Sequence, residues 1–66
     1  MKFVVAQNIK QFKCHYPKAQ HDVAYLHDIF QLKGMRNYDI EYVGTWWLLD
    51  RDFLKEIEIE NNLSKR

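Results

Sequence analysis

A single proline constrains the N-terminal half of this chain more than any other residue. Pro17 is the one proline of the sequence, and the residue before a proline is pushed out of the α region, so a helix that reaches Tyr16 has to end there. Upstream, Ile9 and Phe12 recur with Tyr16 at helical spacing, after the β-favouring residues 3–5. The sequence therefore predicts a short strand, a first helix and a tight turn.

A longer helix is predicted after the proline, between Lys18 and Gly34. The apolar residues of this segment lie on one side of a helical wheel; they are Ala19, Val23, Leu26, Ile29 and Phe30. Gly34 stands where a helix commonly ends, and Lys33 lies in the last turn, where a positive charge interacts favourably with the helix dipole. Two helices joined by a tight turn are typical of a helix-turn-helix.

The next part of the chain alternates like a β-strand and then turns. In YDIEYV, residues 38–43, the large side chains at positions 38, 40 and 42 fall on one face. Gly44 supplies the permissive backbone of a tight turn, and TWWLL is predicted to return as the second strand of a β-hairpin. In such a strand Trp47 and Leu49 face the core, whereas Trp46 and Leu48 face the other way.

The C-terminal segment is predicted to form a helix. Asp50 is a favourable N-cap, and an apolar stripe follows it at Phe53, Leu54 and Ile57. Residues 61–66 are predicted to fray. The predicted fold is a small α+β winged helix-turn-helix: a short N-terminal strand, two helices, a β-hairpin wing and a C-terminal helix, in one domain of residues 1–66.

Composition narrows the classes of function. Ten Lys and Arg against nine Asp and Glu leave a net charge of +1, so any attraction to phosphate depends on local arrangement. Cys14 is the one cysteine, which excludes an internal disulfide and a zinc-binding cysteine pair. Apolar runs are far shorter than the roughly 18 residues that a membrane span needs. We therefore expect a cytoplasmic protein without membrane association.

Three stretches of the sequence are similar to one family of DNA-binding proteins. FVVAQNIKQF corresponds to an entry strand and first helix, DVAYLHDIFQLKG to a second helix, and YDIEYVGTWWLLDRDFLKEI to a wing and closing helix. In spacing and character, nearly the whole chain resembles the small excisionase-type winged-helix proteins of phages and mobile elements, which are related to MerR-like DNA-binding domains. The resemblance implies a non-enzymatic architectural protein. Adjacent copies would bind and bend double-stranded DNA cooperatively and assist an integrase.

Two sets of residues are candidates for DNA contact. On the second predicted helix, Gln, His and Tyr side chains can read base edges, and a small Ala lets the backbone approach the groove; the set is Gln20, His21, Ala24, Tyr25 and Gln31. Basic residues around the first helix, the turn and the ends of the second helix are candidates for phosphate contact; they are Lys10, Lys13, Lys18, Lys33 and Arg36. A solvated polar surface is the alternative explanation for both sets.

The predicted wing departs from the family. Its members usually carry Arg or Lys after the wing glycine and on the outward face of the returning strand, where this chain has Thr45, Trp46 and Leu48. Contiguous exposed apolar side chains usually mark a contact surface. The alternative prediction is a protein-interaction module that binds a host or phage protein through this wing. A small transcriptional repressor is a further alternative.

Neither catalysis nor metal binding is predicted. His21 and His27 would lie on nearly opposite sides of a helix, so they cannot chelate one ion together. Cys14 and His15 are adjacent, and adjacent side chains on a helix diverge by about 100°, with no oxyanion-forming glycine loop after them. We expect no catalytic residue, metal, cofactor or small-molecule substrate.

Overall fold

The computed structural model describes residues 1–64 and is built around a three-stranded parallel sheet. The strands are β1 (Lys2–Val5), β2 (Val23–Tyr25) and β3 (Asp39–Tyr42), in the spatial order β2-β1-β3. The helices are α1 (Ile9–His15) and α2 (Arg51–Ser64), and two short 3₁₀ turns cover Ile29–Gln31 and Trp46–Leu48. The α+β class is confirmed, as are the first strand, the first helix, the strand at β3 and the closing helix.

The central strand β1 is covered on both faces. Phe3, Val4 and Val5 are at most 3% exposed, and an uninterrupted apolar run is typical of a strand buried in a parallel sheet. Phe3 pairs with Ala24 on one side and with Ile40 on the other. Because paired residues share a face, the side chains of Phe3 and Val5 lie on one face and that of Val4 on the opposite face.

Each face of the sheet is covered by one helix. On the Phe3 face, Ile57 of α2 is fully buried in a core cluster with Leu26, Leu32 and Tyr38. On the Val4 face, α1 brings Phe12 against Tyr25 of β2. α1 begins at an N-cap: Asn8 Oδ1 accepts a hydrogen bond from the Gln11 backbone N–H at 2.9 Å. α1 ends at the C-cap Tyr16, whose backbone N–H donates to the Phe12 carbonyl at 2.9 Å, just before Pro17.

The predicted second helix, residues 18–34, is wrong. Its middle forms β2, since Val23 and Tyr25 alternate with Ala24 and Leu26 between the two faces. The Leu26 N–H donates to the Val4 carbonyl at 2.9 Å, so this backbone completes the central strand instead of bonding within a helix. Pairing with β1 therefore outweighs the helical spacing of the apolar residues.

A new turn then begins at Asp28. Asp28 and Gln31 form a capping box: Asp28 Oδ1 accepts from the Phe30 N–H at 3.0 Å, and Gln31 Oε1 accepts from the Asp28 N–H at 3.0 Å. Gly34 follows with φ of +78°, a conformation that glycine adopts readily, but the helix that it was expected to end is absent from residues 18–34.

The predicted β-hairpin wing is also wrong. Gly44 does turn the chain, with φ of +62°, but residues after it coil into a 3₁₀ turn in which the Leu48 N–H donates to the Thr45 carbonyl at 3.0 Å. β3 pairs with β1 in parallel and not with a returning strand. The turn delivers the chain to Asp50, whose Oδ1 accepts from the Asp52 N–H at 3.1 Å at the start of α2, as expected of an N-cap.

Because residues 45–49 form no returning strand, the burial of the two tryptophans is the reverse of the prediction. Trp46 is partly buried and packs against the core, with its ring 4.6 Å from that of Tyr42. Trp47 was predicted to face the core, but it is 59% exposed. The alternation on which that prediction rests applies only to extended backbone. Residues 61–64 are the last residues of α2, and fraying of this tail stays a prediction. Residues 65 and 66 lie outside the described part of the chain.

Candidate functional site

α1, the turn at Pro17 and β2 enclose a cleft of about 370 Å³. Three aromatic rings form its wall: the ring centroid of Phe12 lies 5.6 Å from that of Tyr16 and 5.4 Å from that of Tyr25, and both pairs are stacked. Lys13, Lys18 and Gln20 supply its polar rim. We call this site the aromatic cleft.

Helical spacing and strand register position the rings. Phe12 and Tyr16 lie one turn apart on the same side of α1, where residues four apart are neighbours. Tyr25 lies on the α1 face of the sheet because it pairs with Val4. The row of rings is therefore built from two adjacent elements, and its geometry depends on the packing of α1 against β2.

A polar network fixes Tyr16 at one end of the row. Its hydroxyl donates a hydrogen bond to a carboxylate oxygen of Glu41 on β3, and Lys2 Nζ lies 3.9 Å from the other oxygen of that carboxylate. The hydrogen bond to Glu41 raises the pKa of Tyr16 above its ordinary value of 10.0, and burial and the negative charge of Glu41 add to that shift, while Lys2 opposes it. The raised pKa means that Tyr16 keeps its proton to a more alkaline pH than an ordinary tyrosine.

The rim of the cleft is basic. Lys13 and Lys18 are exposed, and the ion pairs found within residues 1–64, Lys2–Glu41 and Lys33–Glu60, involve neither of them. An ammonium group without a carboxylate partner is available to an anion, and an aromatic ring offers its face to a planar group. The combination suits a ligand that is both planar and negatively charged.

The cleft collects half of the residues predicted to contact DNA. Two are predicted phosphate contacts, Lys13 and Lys18, and three are predicted base contacts, Gln20, Ala24 and Tyr25; all five line the cleft. They are brought together by the turn at Pro17 and by β2, not by a recognition helix.

The other predicted base contacts lie apart. His21 is exposed in the turn before β2. Gln31 is occupied within the fold, since its Nε2 donates to the Tyr25 carbonyl at 3.2 Å and its Oε1 accepts from the His27 N–H at 2.8 Å.

The remaining basic residues divide between two places. Lys10 is exposed on α1, one turn before Lys13. Lys33 pairs with Glu60 of α2 at 3.3 Å, and Arg36 lines a small cavity that Glu60 also lines. The basic residues therefore form no single surface: three lie around α1 and two lie near α2.

The three predicted wing residues differ in exposure. Thr45 belongs to a polar cluster at the carboxyl ends of β1 and β3, where its Oγ1 accepts from Gln11 Nε2 at 2.8 Å and donates to Gln7 Oε1 at 2.7 Å. Trp46 is half-buried, whereas Leu48 is 60% exposed. Leu48 and the neighbouring Trp47 are the large apolar side chains that the 3₁₀ turn leaves exposed.

Sequence reasoning missed Phe12 and Tyr16 as members of a site. Their helical spacing predicts only a helix, and both side chains are half-buried. One signal was present in the sequence: two aromatic rings one helical turn apart, interleaved with Lys10 and Lys13, form the combination of stacking and charge that proteins use for single-stranded nucleic acids.

Within residues 1–64, no group of three His, Cys, Asp or Glu side chains is arranged to hold a metal ion. The same residues include no helix that is long and apolar enough to cross a membrane. No model of a known protein family matches the chain, and neither a curated protein nor a solved structure matches it.

Proposed function

We propose that this protein binds nucleic acid without catalysing a reaction, by holding an unpaired base and its neighbouring phosphates in the aromatic cleft. The observation that carries the proposal is the row of Phe12, Tyr16 and Tyr25 beside Lys13 and Lys18. Proteins that bind single strands combine stacking on aromatic side chains with a basic rim that follows the backbone. The cleft volume also lies within the roughly 300–1,000 Å³ typical of ligand pockets.

The scale of the cleft favours a short, weak contact. Two lysines account for about two phosphate contacts, and the net charge of +1 adds little general attraction. We therefore expect a dissociation constant on the order of 10⁻⁴ to 10⁻⁶ M, the range of non-specific binding at physiological salt.

Binding and bending of double-stranded DNA by several copies, as the resemblance to excisionases implies, stays a prediction. Residues 18–34 do not form the helix that would enter the major groove, and residues 38–49 do not form a wing. Without that helix and wing, no element within residues 1–64 is shaped to read a DNA groove. The lysines around α1 are still placed where they could attract phosphates. Binding in the aromatic cleft favours a single strand, whereas excisionase-type binding favours a duplex, so an experiment can distinguish the two.

The proposal is tested by fluorescence anisotropy with a labelled oligothymidylate and with a mixed-sequence duplex of equal length. We expect the single strand to bind more tightly than the duplex. The plot of log K against log salt concentration should fall with a slope near −1.4, from about 0.7 per phosphate contacted.

A lysine variant identifies the surface involved. The double variant Lys13→Gln/Lys18→Gln should abolish most of the salt dependence. Arg51→Gln/Lys55→Gln on α2 also removes two exposed positive charges, so it is a charge-matched control that should leave binding unchanged. Equal losses in both would show that the contact is general electrostatic attraction. Tighter binding of the duplex would instead favour the excisionase-type mode.

A further inference from the structure

The outer edge of β3 carries backbone groups that no strand within residues 1–64 pairs with. β3 lies at one side of the sheet, with β1 on its inner side. The N–H groups of Asp39 and Val43 donate inward to carbonyls at 3.0 and 2.9 Å. In a parallel strand the direction of the backbone groups alternates from residue to residue, so those of Ile40 and Tyr42 point outward. The unpaired N–H and C=O groups of these two residues can pair with another strand.

The opposite edge of the sheet is occupied by the chain itself. At β2, Gln31 Nε2 donates to the outward carbonyl of Tyr25 at 3.2 Å, and the outward N–H of Val23 donates to the Gln20 carbonyl at 3.5 Å. A side chain and a turn thus cover β2, and β3 has no equivalent cover among the described residues. The difference singles out β3 as the edge open to a partner.

A cavity of about 420 Å³ lies next to this edge, on the face of the sheet that α2 covers. Its apolar side chains are Tyr42, Trp46 and Leu54, and its charged side chains are Arg51, Lys55 and Glu58. In an added strand every second side chain points to this face. The cavity therefore offers an apolar side chain of such a strand a place to pack, and we call it the edge cavity.

Charge distinguishes between the candidate strands. The charged residues of β3 are Asp39 and Glu41, which share the α1 face. If a second copy paired antiparallel through its own Ile40 and Tyr42, the two Glu41 side chains would lie directly opposite each other, and like charges in that position are destabilising. A strand with basic residues on that face is favoured instead.

We propose that the β3 edge binds an extended segment of a different protein in which basic and apolar residues alternate. The backbone of the segment bonds to the outward groups of Ile40 and Tyr42, its basic side chains lie beside Asp39 and Glu41, and an apolar side chain enters the edge cavity. Strand addition of this kind takes affinity from main-chain hydrogen bonds and specificity from the alternate side chains. None of the edge residues lines the aromatic cleft, although Glu41 holds Tyr16 of the cleft wall. Strand addition at the edge does not depend on nucleic-acid binding.

The test uses a short synthetic peptide that alternates lysine with valine, and its counterpart with glutamate in place of lysine. Amide hydrogen exchange is followed by NMR in the full chain. We expect saturating lysine peptide to slow exchange of the Ile40 and Tyr42 amides at least about tenfold, and the glutamate peptide to bind at least about tenfold more weakly. Equal binding of both peptides, or no slowing at these two amides, would overturn the proposal.

Two variants separate edge pairing from side-chain contact. Tyr42→Pro removes one outward donor and breaks no bond to β1, so it should abolish peptide protection at Ile40. Tyr42→Ala removes the same ring from the edge cavity but keeps that donor, so the peptide should bind it more weakly and still protect Ile40 at saturation. If Tyr42→Pro fails to fold, slowed exchange of the Ile40 and Tyr42 amides in the unmodified chain still distinguishes edge pairing from its absence. Concentration-dependent protection of both amides without peptide would show self-pairing and contradict the proposal.

Discussion

The hydroxyl of Tyr16 donates a hydrogen bond to the carboxylate of Glu41, and this bond joins the end of α1 to β3. The two residues lie on the face of the sheet that also carries Tyr25, so one polar contact anchors the wall of the aromatic cleft. Since Glu41 also pairs with Lys2, the position of Tyr16 depends on the two neighbouring strands β1 and β3.

The Tyr16–Glu41 bond predicts a stability change at alkaline pH. The pKa of Tyr16 is raised in the folded chain above 10.0, mainly by this bond. The folded state therefore holds its proton more tightly than the unfolded state, so the stabilisation is fully present below pH 10 and is lost as the pH rises through the folded pKa. Phenolate absorbance and thermal unfolding, followed together, measure it.

The matched variant for that prediction is Tyr16→Phe, which keeps the ring. It should remove a late-titrating tyrosine from the absorbance curve and flatten the fall of stability above pH 10. Tyr42 also has a raised pKa, mainly through burial and then through Glu58, so it should continue to titrate late in the variant. If the phenol lost in Tyr16→Phe is one that titrates at the ordinary pKa of 10.0, the role of Glu41 is contradicted.

Variants of Tyr25 distinguish the contribution of ring stacking to oligothymidylate affinity from that of charge. Tyr25→Ala should weaken oligothymidylate binding by about 5-fold to 150-fold, because stacking of one base contributes about 1–3 kcal/mol. Tyr25→Phe keeps the ring and should bind like the unmodified chain, and neither variant should change the salt slope. Equal affinity in the alanine and phenylalanine variants would show that this ring takes no part in binding.

Alanine substitution at the two glycines, Gly34 and Gly44, allows a comparison of free energies of unfolding. Both have positive φ, so alanine at either position is strained by about 1–2 kcal/mol. At Gly34 a Cβ would meet nothing within 4 Å, whereas at Gly44 it would lie 2.5 Å from Gln11 Oε1.

Gly44→Ala should therefore be the more destabilising of the two. Gln11 Oε1 accepts from the Thr45 N–H at 3.1 Å, and a Cβ at residue 44 would displace it. Urea denaturation measures both free energies of unfolding. A larger loss in Gly34→Ala than in Gly44→Ala would contradict the placement of α1 against the end of β3.

The tryptophans provide the corresponding test of packing. Trp46→Ala should destabilise the chain by about 2–3 kcal/mol, because it removes a ring that packs on the core and on Tyr42. Trp47→Ala should change the free energy of unfolding by less than about 0.5 kcal/mol, as expected for a side chain that is mostly in solvent. Thermal unfolding of the two variants gives the comparison, and the reverse order would indicate a returning strand after Gly44.

Local signals in the sequence were sufficient for some elements. The apolar run at residues 3–5, the stop at Pro17, the alternation at β3 and the N-cap at Asp50 each indicate the element that forms there. In all four cases a short segment contains the whole signal. The α+β class follows from these elements.

Long-range pairing accounts for the rest. Whether residues 23–25 form a helix or a strand depends on β1, far away in sequence, and their apolar spacing suits both structures. Two signals in the sequence favour the observed fold. The apolar run at residues 3–5 of β1 is typical of a strand covered on both faces, and the capping pair Asp28 and Gln31 indicates a new helical start inside the predicted helix. The aromatic cleft joins α1 to β2, so it cannot be predicted unless the pairing of β2 with β1 is known.

The most direct test of the central claim is an NMR titration of the isotope-labelled chain with oligothymidylate. Nucleic-acid binding in the aromatic cleft predicts that the ring signals of Phe12 and Tyr25 and the backbone signals of Lys13 and Lys18 shift together and saturate together, while the indole signal of the exposed Trp47 stays in place. Shifts centred on Trp47 and Leu48, or no saturable shift at Tyr25, would contradict it.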